Sequence, residues 1–185
     1  MIKLGAVLLI LLLLIIIAGL LSIYYISVYN TYQDYIIRIN EVESYIDNSI
    51  RDKFDALSKS INVIKGNTDI KEELFPEIVK LRSRKMSSFE LNRKLVVELN
   101  EFYKIKEEHP ELKKSESFIE IDKKLEEVED NLESYQEYYN SNITEYNKLV
   151  RSFPTNIVAM ICNYKEKTFF DGKDMTDEDV NDFKL

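Results

Sequence analysis

The sequence predicts an all-α protein in which an N-terminal transmembrane helix continues into an antiparallel bundle of three long helices, closed by a short C-terminal capping segment. Three observations carry this prediction. The stretch Leu4 to Ile26 contains no charged residue, and the next charge after Lys3 is Asp34. Beyond it, apolar residues recur at steps of three and four, with no clean alternation of period two. Gly and Pro number only 4 and 3 in 185 residues, too few to break the chain often. The expected division is an anchor over 1–28, a helical bundle domain over 29–170 and an acidic, disordered tail over 171–185.

The apolar stretch is roughly 34 Å long as a helix, enough to cross a hydrocarbon core of about 30 Å. Tyr24, Tyr25 and Tyr29 mark its C-terminal boundary, where amphipathic rings favour the membrane interface. A cleaved secretory signal has a shorter apolar region followed by a small-x-small site, which fits less well. The expected placement is a cell membrane, crossed once by residues 4–26. Lys3 and the α-amine on one side stand against Arg38, Asp34, Glu41 and Glu43 on the other, which leans towards an extracytoplasmic soluble domain.

No breaker lies between Ile26 and Lys65, so the span and the first soluble helix form one rod. Its core face is read as Tyr32, Ile36, Ile39, Val42, Ile46, Ile50, Phe54, Leu57, Ile61 and Ile64, ending at Gly66-Asn67. The next helix is expected to start near Thr68 or Asp69, accommodate Pro76 in an early turn and run to about Glu108. The last long helix is expected over 115–152. A coiled-coil-like seam runs from Phe118 through Ile121, Leu125, Val128, Leu132, Tyr135, Tyr139, Ile143, Tyr146 and Val150 to Phe153. Ser117 with Glu120 offers a capping box, and Pro154 stops the helix. Matched lengths and short turns at 66–68 and 109–114 imply an up-down-up bundle, with Pro110 near the bilayer and the residues after Phe153 capping the far end over Ile61 and Ile64.

Several residue patterns then point to one family. Tyr146-Asn147, Val150-Arg151, Phe153-Pro154-Thr155-Asn156-Ile157-Val158-Ala159, Tyr164-Lys165-Glu166-Lys167 and Phe169-Phe170 resemble the C-terminal signature of the LemA family. His109-Pro110-Glu111-Leu112 with Phe118, Leu125, Glu129, Leu132 and Tyr139-Asn140 is similar to the turn leading into that family's last long helix. Tyr29-Asn30, Phe54-Asp55 and Lys65-Gly66 fit its first soluble helix. The chain departs from the pattern in having no Trp, in carrying Leu57-Ser58-Lys59 at an Ile-Pro-Asn step, and in placing Asp52-Lys53 where paired basic residues stand. The resemblance implies a membrane-anchored α-helical domain and specifies architecture more than activity.

Candidate chemistry is sparse. With 33 acids against 25 Lys plus Arg the net charge is −8, against a general affinity for nucleic acid. Scattered glycines exclude a phosphate-cradling loop. One His and one Cys cannot assemble a His- or Cys-based metal site, and no cofactor is expected. His109 precedes Pro110 in a turn, and the acids from Glu120 to Glu133 lack the Glu-x-x-His repeat of bundle di-metal centres. Both read as solvated helix chemistry. Cys162, in an apolar segment, reads as a packed small residue rather than a nucleophile. The basic cluster Lys80, Arg82, Arg84, Lys85, Arg93 and Lys94 reads as a solvated face over an anionic-lipid site. Phe153, Pro154, Thr155, Asn156, Tyr164, Phe169 and Phe170 form the candidate interaction or capping segment, because a non-helical stretch this apolar is not exposed without reason. The expected function is a non-catalytic scaffold or protein-interaction module at the cell envelope, with protein partners and self-association. A membrane-associated enzyme, accessory subunit or signalling input is the alternative.

Overall fold

The computed structural model describes residues 2–70, 74, 75, 78 and 88–170. Over these residues the chain is all-α. It contains α1 (Ile2–Asn67), α2 (Ser88–Glu108), a 3₁₀ turn (Pro110–Lys114), α3 (Glu116–Arg151) and α4 (Thr155–Cys162), with no strand among the described residues. The tail 171–185 lies outside them.

The apolar stretch and the first soluble helix are one uninterrupted helix of 66 residues, as their lack of breakers requires. Its end is closed by side chains: Asn67 Nδ2 donates to the Val63 carbonyl at 2.7 Å and Thr68 Oγ1 to the Ile64 carbonyl at 2.8 Å. Thr68 therefore terminates α1 and does not open the next helix. The expected helix start at Thr68 or Asp69 is not found. Asp69 and Ile70 have no regular structure, Leu74 and Phe75 form a bend, and Phe75 takes φ 51°, a left-handed conformation outside any α-helix. Pro76 follows directly, and its ring disfavours helical backbone at the residue before it. Of the basic cluster, Lys80, Arg82, Arg84 and Lys85 lie outside the described residues; Arg93 and Lys94 are half-buried on α2.

The chain divides into two compact units, Met1–Asn40 with Asn142–Lys167 and Glu41–Ser141 with Thr168–Leu185, so α1 and α3 contribute to both. In the first unit Val28, Tyr32, Ile39, Tyr146, Val158 and Ala159 are buried. The Tyr32 ring meets Tyr146 edge-on at 5.8 Å and Tyr164 at 5.0 Å, geometries that favour aromatic attraction beyond area burial.

The second unit buries Ile46, Ile50, Leu57 and Ile64 of α1, Leu95, Leu99, Phe102 and Ile105 of α2, and Phe118, Leu125, Val128, Leu132 and Tyr139 of α3. Here α1 and α3 are antiparallel: Tyr45 stacks near Tyr135 and Asp52 pairs with Lys124. The direction of α2 corrects the up-down-up expectation. Lys53 reaches Asn92 near the start of α2, whereas Asp69, Ile70 and Leu74 share a groove with Glu101, Ile105 and His109 near its end. Helix α2 thus runs parallel to this part of α1, and the Pro110 turn lies beside Asp69 at the end of α1. The chain between Thr68 and Asn92, in which Ile78 is helical, is long enough to bring α2 back beside Lys53.

The seam of α3 is largely as its periodicity predicts. Phe118, Leu125, Val128, Leu132, Tyr139, Ile143 and Tyr146 are buried, and Ile121, Tyr135 and Val150 are half-buried. The helix starts within one residue of the expected 115, but its N-cap lies two residues before Ser117, since Ser115 occupies that position and its carbonyl accepts from the Phe118 and Ile119 amides. Ser117 lies inside the first turn, so the capping box does not form.

Candidate functional site

The residues after α3 build a hairpin whose outgoing arm is helical, not the irregular stretch expected. Pro154 occupies the N-cap position of α4 and supplies no side-chain hydrogen bond. The Thr155 hydroxyl serves the end of α3 instead, sharing its proton between the Leu149 carbonyl at 2.6 Å and the Ser152 carbonyl at 2.8 Å. Asn156 is half-buried inside α4, its amide bonded to the Ser152 carbonyl and its Oδ1 buried with no hydrogen-bond donor. The far end closes at Asn163 in the left-handed region, φ 55°, where the Asn163 amide donates to Met160 and the Tyr164 amide to Ala159.

The hairpin seats on the early part of α1. The Tyr32 hydroxyl donates to the Thr155 carbonyl at 3.4 Å, Tyr25 Oη lies 3.5 Å from Cys162 Sγ, and Gln33 Nε2 donates to Tyr164 Oη at 2.6 Å. These contacts run oppositely in the two helices, so α4 descends along α1 from Tyr32 to Tyr25. The expectation that the segment caps Ile61 and Ile64 is therefore corrected. Polar groups decide the seat: Tyr25, Tyr32 and Gln33 offer partners for hairpin carbonyl, thiol and phenol, which Ile61 and Ile64 cannot. Phe153, read as the last residue of the α3 seam, is 80% exposed.

Past Asn163 the chain is extended and is held by two asparagines of α3. In the first unit Asn147 Nδ2 donates to the Lys167 carbonyl at 2.8 Å while its Oδ1 accepts from the Lys167 amide at 2.9 Å. In the second unit Asn140 does the same to Phe170, at 3.0 and 2.7 Å. Each amide thus imitates a neighbouring strand and satisfies both backbone groups of one residue. The spacing matches: seven helical residues rise about 10.5 Å and three extended residues about 10 Å. Phe170 is buried edge-on to Tyr139 at 6.4 Å, whereas Phe169 is about half exposed. Tyr139-Asn140 and Tyr146-Asn147 are therefore two copies of one device, a buried ring beside a backbone clasp. Apolar periodicity finds the rings and misses the clasp; the heptad repeat of Tyr-Asn is its signal in the sequence.

Burial pushes Tyr146 up to about 12, with Tyr32 and Tyr164 opposing its ionisation, and burial likewise raises Tyr164 to about 12, with Cys162 adding to it. A free tyrosine ionises near pH 10, so the unfolded chain releases these protons first. Their contribution to stability is complete below about pH 10 and is lost as the pH rises towards 12. In an alkaline unfolding series, Tyr146→Phe should lose less stability over that interval than the parent chain. An identical alkaline slope in the two proteins would contradict this.

The second unit holds a different polar centre. Lys53 is 1% exposed, and its Nζ lies 2.6 Å from Glu129 Oε1 and 3.1 Å from Asn92 Oδ1, tying α1, α3 and α2 together. Burial raises Tyr103 above its ordinary range, reinforced by Glu129, Glu126 and Asp122. Burial acts to lower Lys106, but its bonds to Asp122 and Glu126 outweigh that and hold it above its ordinary value. His109 Nδ1 lies 2.8 Å from Glu111 Oε1 at the 3₁₀ turn, on a groove that Asp69, Glu101, Lys104 and Glu108 also line. A shallow groove is lined by Asp52, Asp55, Lys59, Ser117, Glu120 and Lys124. Among the described residues no three His, Cys, Asp or Glu side chains converge as metal ligands would. Cys162 is a half-buried free thiol packed at Tyr25.

Fold and site together define an all-helical protein with an N-terminal helix long and apolar enough to cross a membrane and a C-terminal hairpin clasped onto its last long helix. The chain belongs to the LemA family, whose sequence profile matches residues 42–182. A search of curated proteins gives no match.

Proposed function

We propose that this LemA-family chain is a single-pass membrane protein anchored by residues 4–26, presenting its helical domain outside the cytoplasm as a non-catalytic scaffold for protein contacts at the cell envelope. The observation that carries the anchor is exposure: every residue from Leu4 to Tyr24 is exposed, and among the described residues no segment covers this uncharged stretch. A surface so apolar over such a length is expected to be covered by lipid. Ser22, the one hydroxyl between Leu4 and Ile23, donates to the Ala18 carbonyl at 2.8 Å, which supports the reading because a polar group in hydrocarbon needs an internal partner.

Alkaline carbonate washing of membranes tests the anchor. The full chain is expected in the pellet, and Leu12→Arg with Ile15→Arg, each worth about 3 kcal/mol against insertion, should move it to the supernatant. Recovery of the parent chain in the supernatant would overturn the reading. Thiol labelling of Lys59→Cys in intact cells tests orientation, since labelling only after lysis would place the domain inside. The scaffold role is supported by exposed apolar residues on the second unit, Val97 at 66% and Ile119 at 50%. A photocrosslinker at Val97 should capture protein partners or a second copy. The competing reading, a membrane-associated enzyme or accessory subunit, would place its substrate in the Asp52–Lys124 groove, and Asp55→Asn would then abolish a cellular phenotype that the Val97 position does not affect.

A further inference from the structure

We infer that α4 is a second membrane contact: a short interfacial helix that rests its outer face in the headgroup and upper acyl region of the leaflet from which α1 emerges. This rests on the anchor reading above. Four observations within the first unit carry it. Helix α4 descends along α1 until Cys162 meets Tyr25, one residue from the end of the apolar span Leu4 to Ile26, so its lower end stands at the depth where the span leaves the hydrocarbon. The face turned away from α1 is apolar and uncovered: Phe153 and Met160 are each 80% exposed and Ile161 65%, with Ile157 about half exposed, while Val158 and Ala159 are buried on the inner side.

Charge is distributed to match. From Ser152 to Tyr164 the hairpin has no charged residue, whereas its two roots carry Arg151 and Glu166, which are joined by a hydrogen-bonded ion pair. The uncharged tip and charged base reproduce, across one hairpin, the polarity step of a membrane interface. The backbone is prepared for it too. The Ala159 and Met160 carbonyls at the lower end of α4 accept from Tyr164 and Asn163, leaving fewer unpaired groups where water is scarce. A lipid surface suits this face better than a protein pocket because it continues the lipid-covered flank of α1 without a break, and Tyr24 and Tyr29 are exposed beside it.

The test uses the full chain carrying Cys162→Ala, reconstituted in phosphatidylcholine vesicles, with an environment-sensitive fluorophore placed in turn at Met160→Cys, Leu12→Cys and Lys59→Cys. The inference expects the Met160 probe to emit to the blue of the Lys59 probe and to be quenched by lipids bearing a spin label just below the headgroup. The Leu12 probe should be quenched by labels deep in the acyl chain. Quenching at Leu12 with none at Met160 would overturn the interfacial helix and leave the anchor standing. A blue-shifted Met160 probe insensitive to spin-labelled lipid would also overturn it, by showing that protein covers the face. A Leu12 probe that no lipid quenches would sink the anchor, and this inference with it.

Discussion

Lys53→Ala is expected to lower the unfolding free energy by about 3 kcal/mol, more than any substitution on the outer faces of the helices. The side chain is 1% exposed, and alanine would leave both a void between three helices and an Asn92 carbonyl oxygen with no ammonium to meet it. The Glu129 side chain is 36% exposed although the Oε1 that meets Lys53 is buried, so its freed charge is only partly desolvated, which keeps the loss near the lower end for broken buried pairs. Lys53→Met separates the contributions. It fills most of the space without a charge, and replacing a buried ion with an apolar group of similar volume is often neutral or stabilising. Chemical denaturation of the detergent-solubilised chain, followed by far-ultraviolet circular dichroism, should therefore rank Lys53→Met well above Lys53→Ala. If the two variants were equally unstable, the charge rather than the filled volume would hold the unit together.

Lys53 also shows what a sequence can and cannot disclose. The buried positions of α1 step through Ile46, Ile50, Lys53, Leu57, Ser60 and Ile64, an unbroken alternation of four and three. Counting only apolar residues replaced Lys53 by Phe54 and Ser60 by Ile61, which are half-buried neighbours. The period was legible, but polar occupants become core residues only through partners on other helices, and Asn92 and Glu129 are distant in the chain. Helix length and the seam of α3 were legible because each is fixed by local spacing. Thr68 was misread because a threonine that caps the end of one helix looks, in sequence, like one that opens the next. The seat of the hairpin was misread for a related reason: apolar content selected Ile61 and Ile64, whereas hydrogen-bond partners selected Tyr25, Tyr32 and Gln33.

Replacing Asn147 by alanine should release the extended chain after Asn163. Two hydrogen bonds to Lys167 are lost together, and at about 1 kcal/mol each local opening becomes roughly ten- to fiftyfold more frequent. Trypsin reports this directly, because Lys165 and Lys167 lie in the clasped segment and a protease cuts what transiently opens. Asn140→Ala removes the matching pair at Phe170, and because Phe170 is also buried against Tyr139, its cleavage rate should rise less. Asn147→Asp is the sharper variant. A carboxylate still accepts from the Lys167 amide but sets a second oxygen against the Lys167 carbonyl where a donor stood. Only the protonated acid restores the pair, so folding would raise the pKa of the introduced carboxyl group above its ordinary value of about 4. The clasp should then be tight at low pH and loosen as the pH rises past that value, while Asn147→Ala stays open throughout. Measured with an acid-tolerant protease or by hydrogen exchange across residues 164–170, equal protection of the aspartate and alanine variants at low pH would refute the two-point clasp.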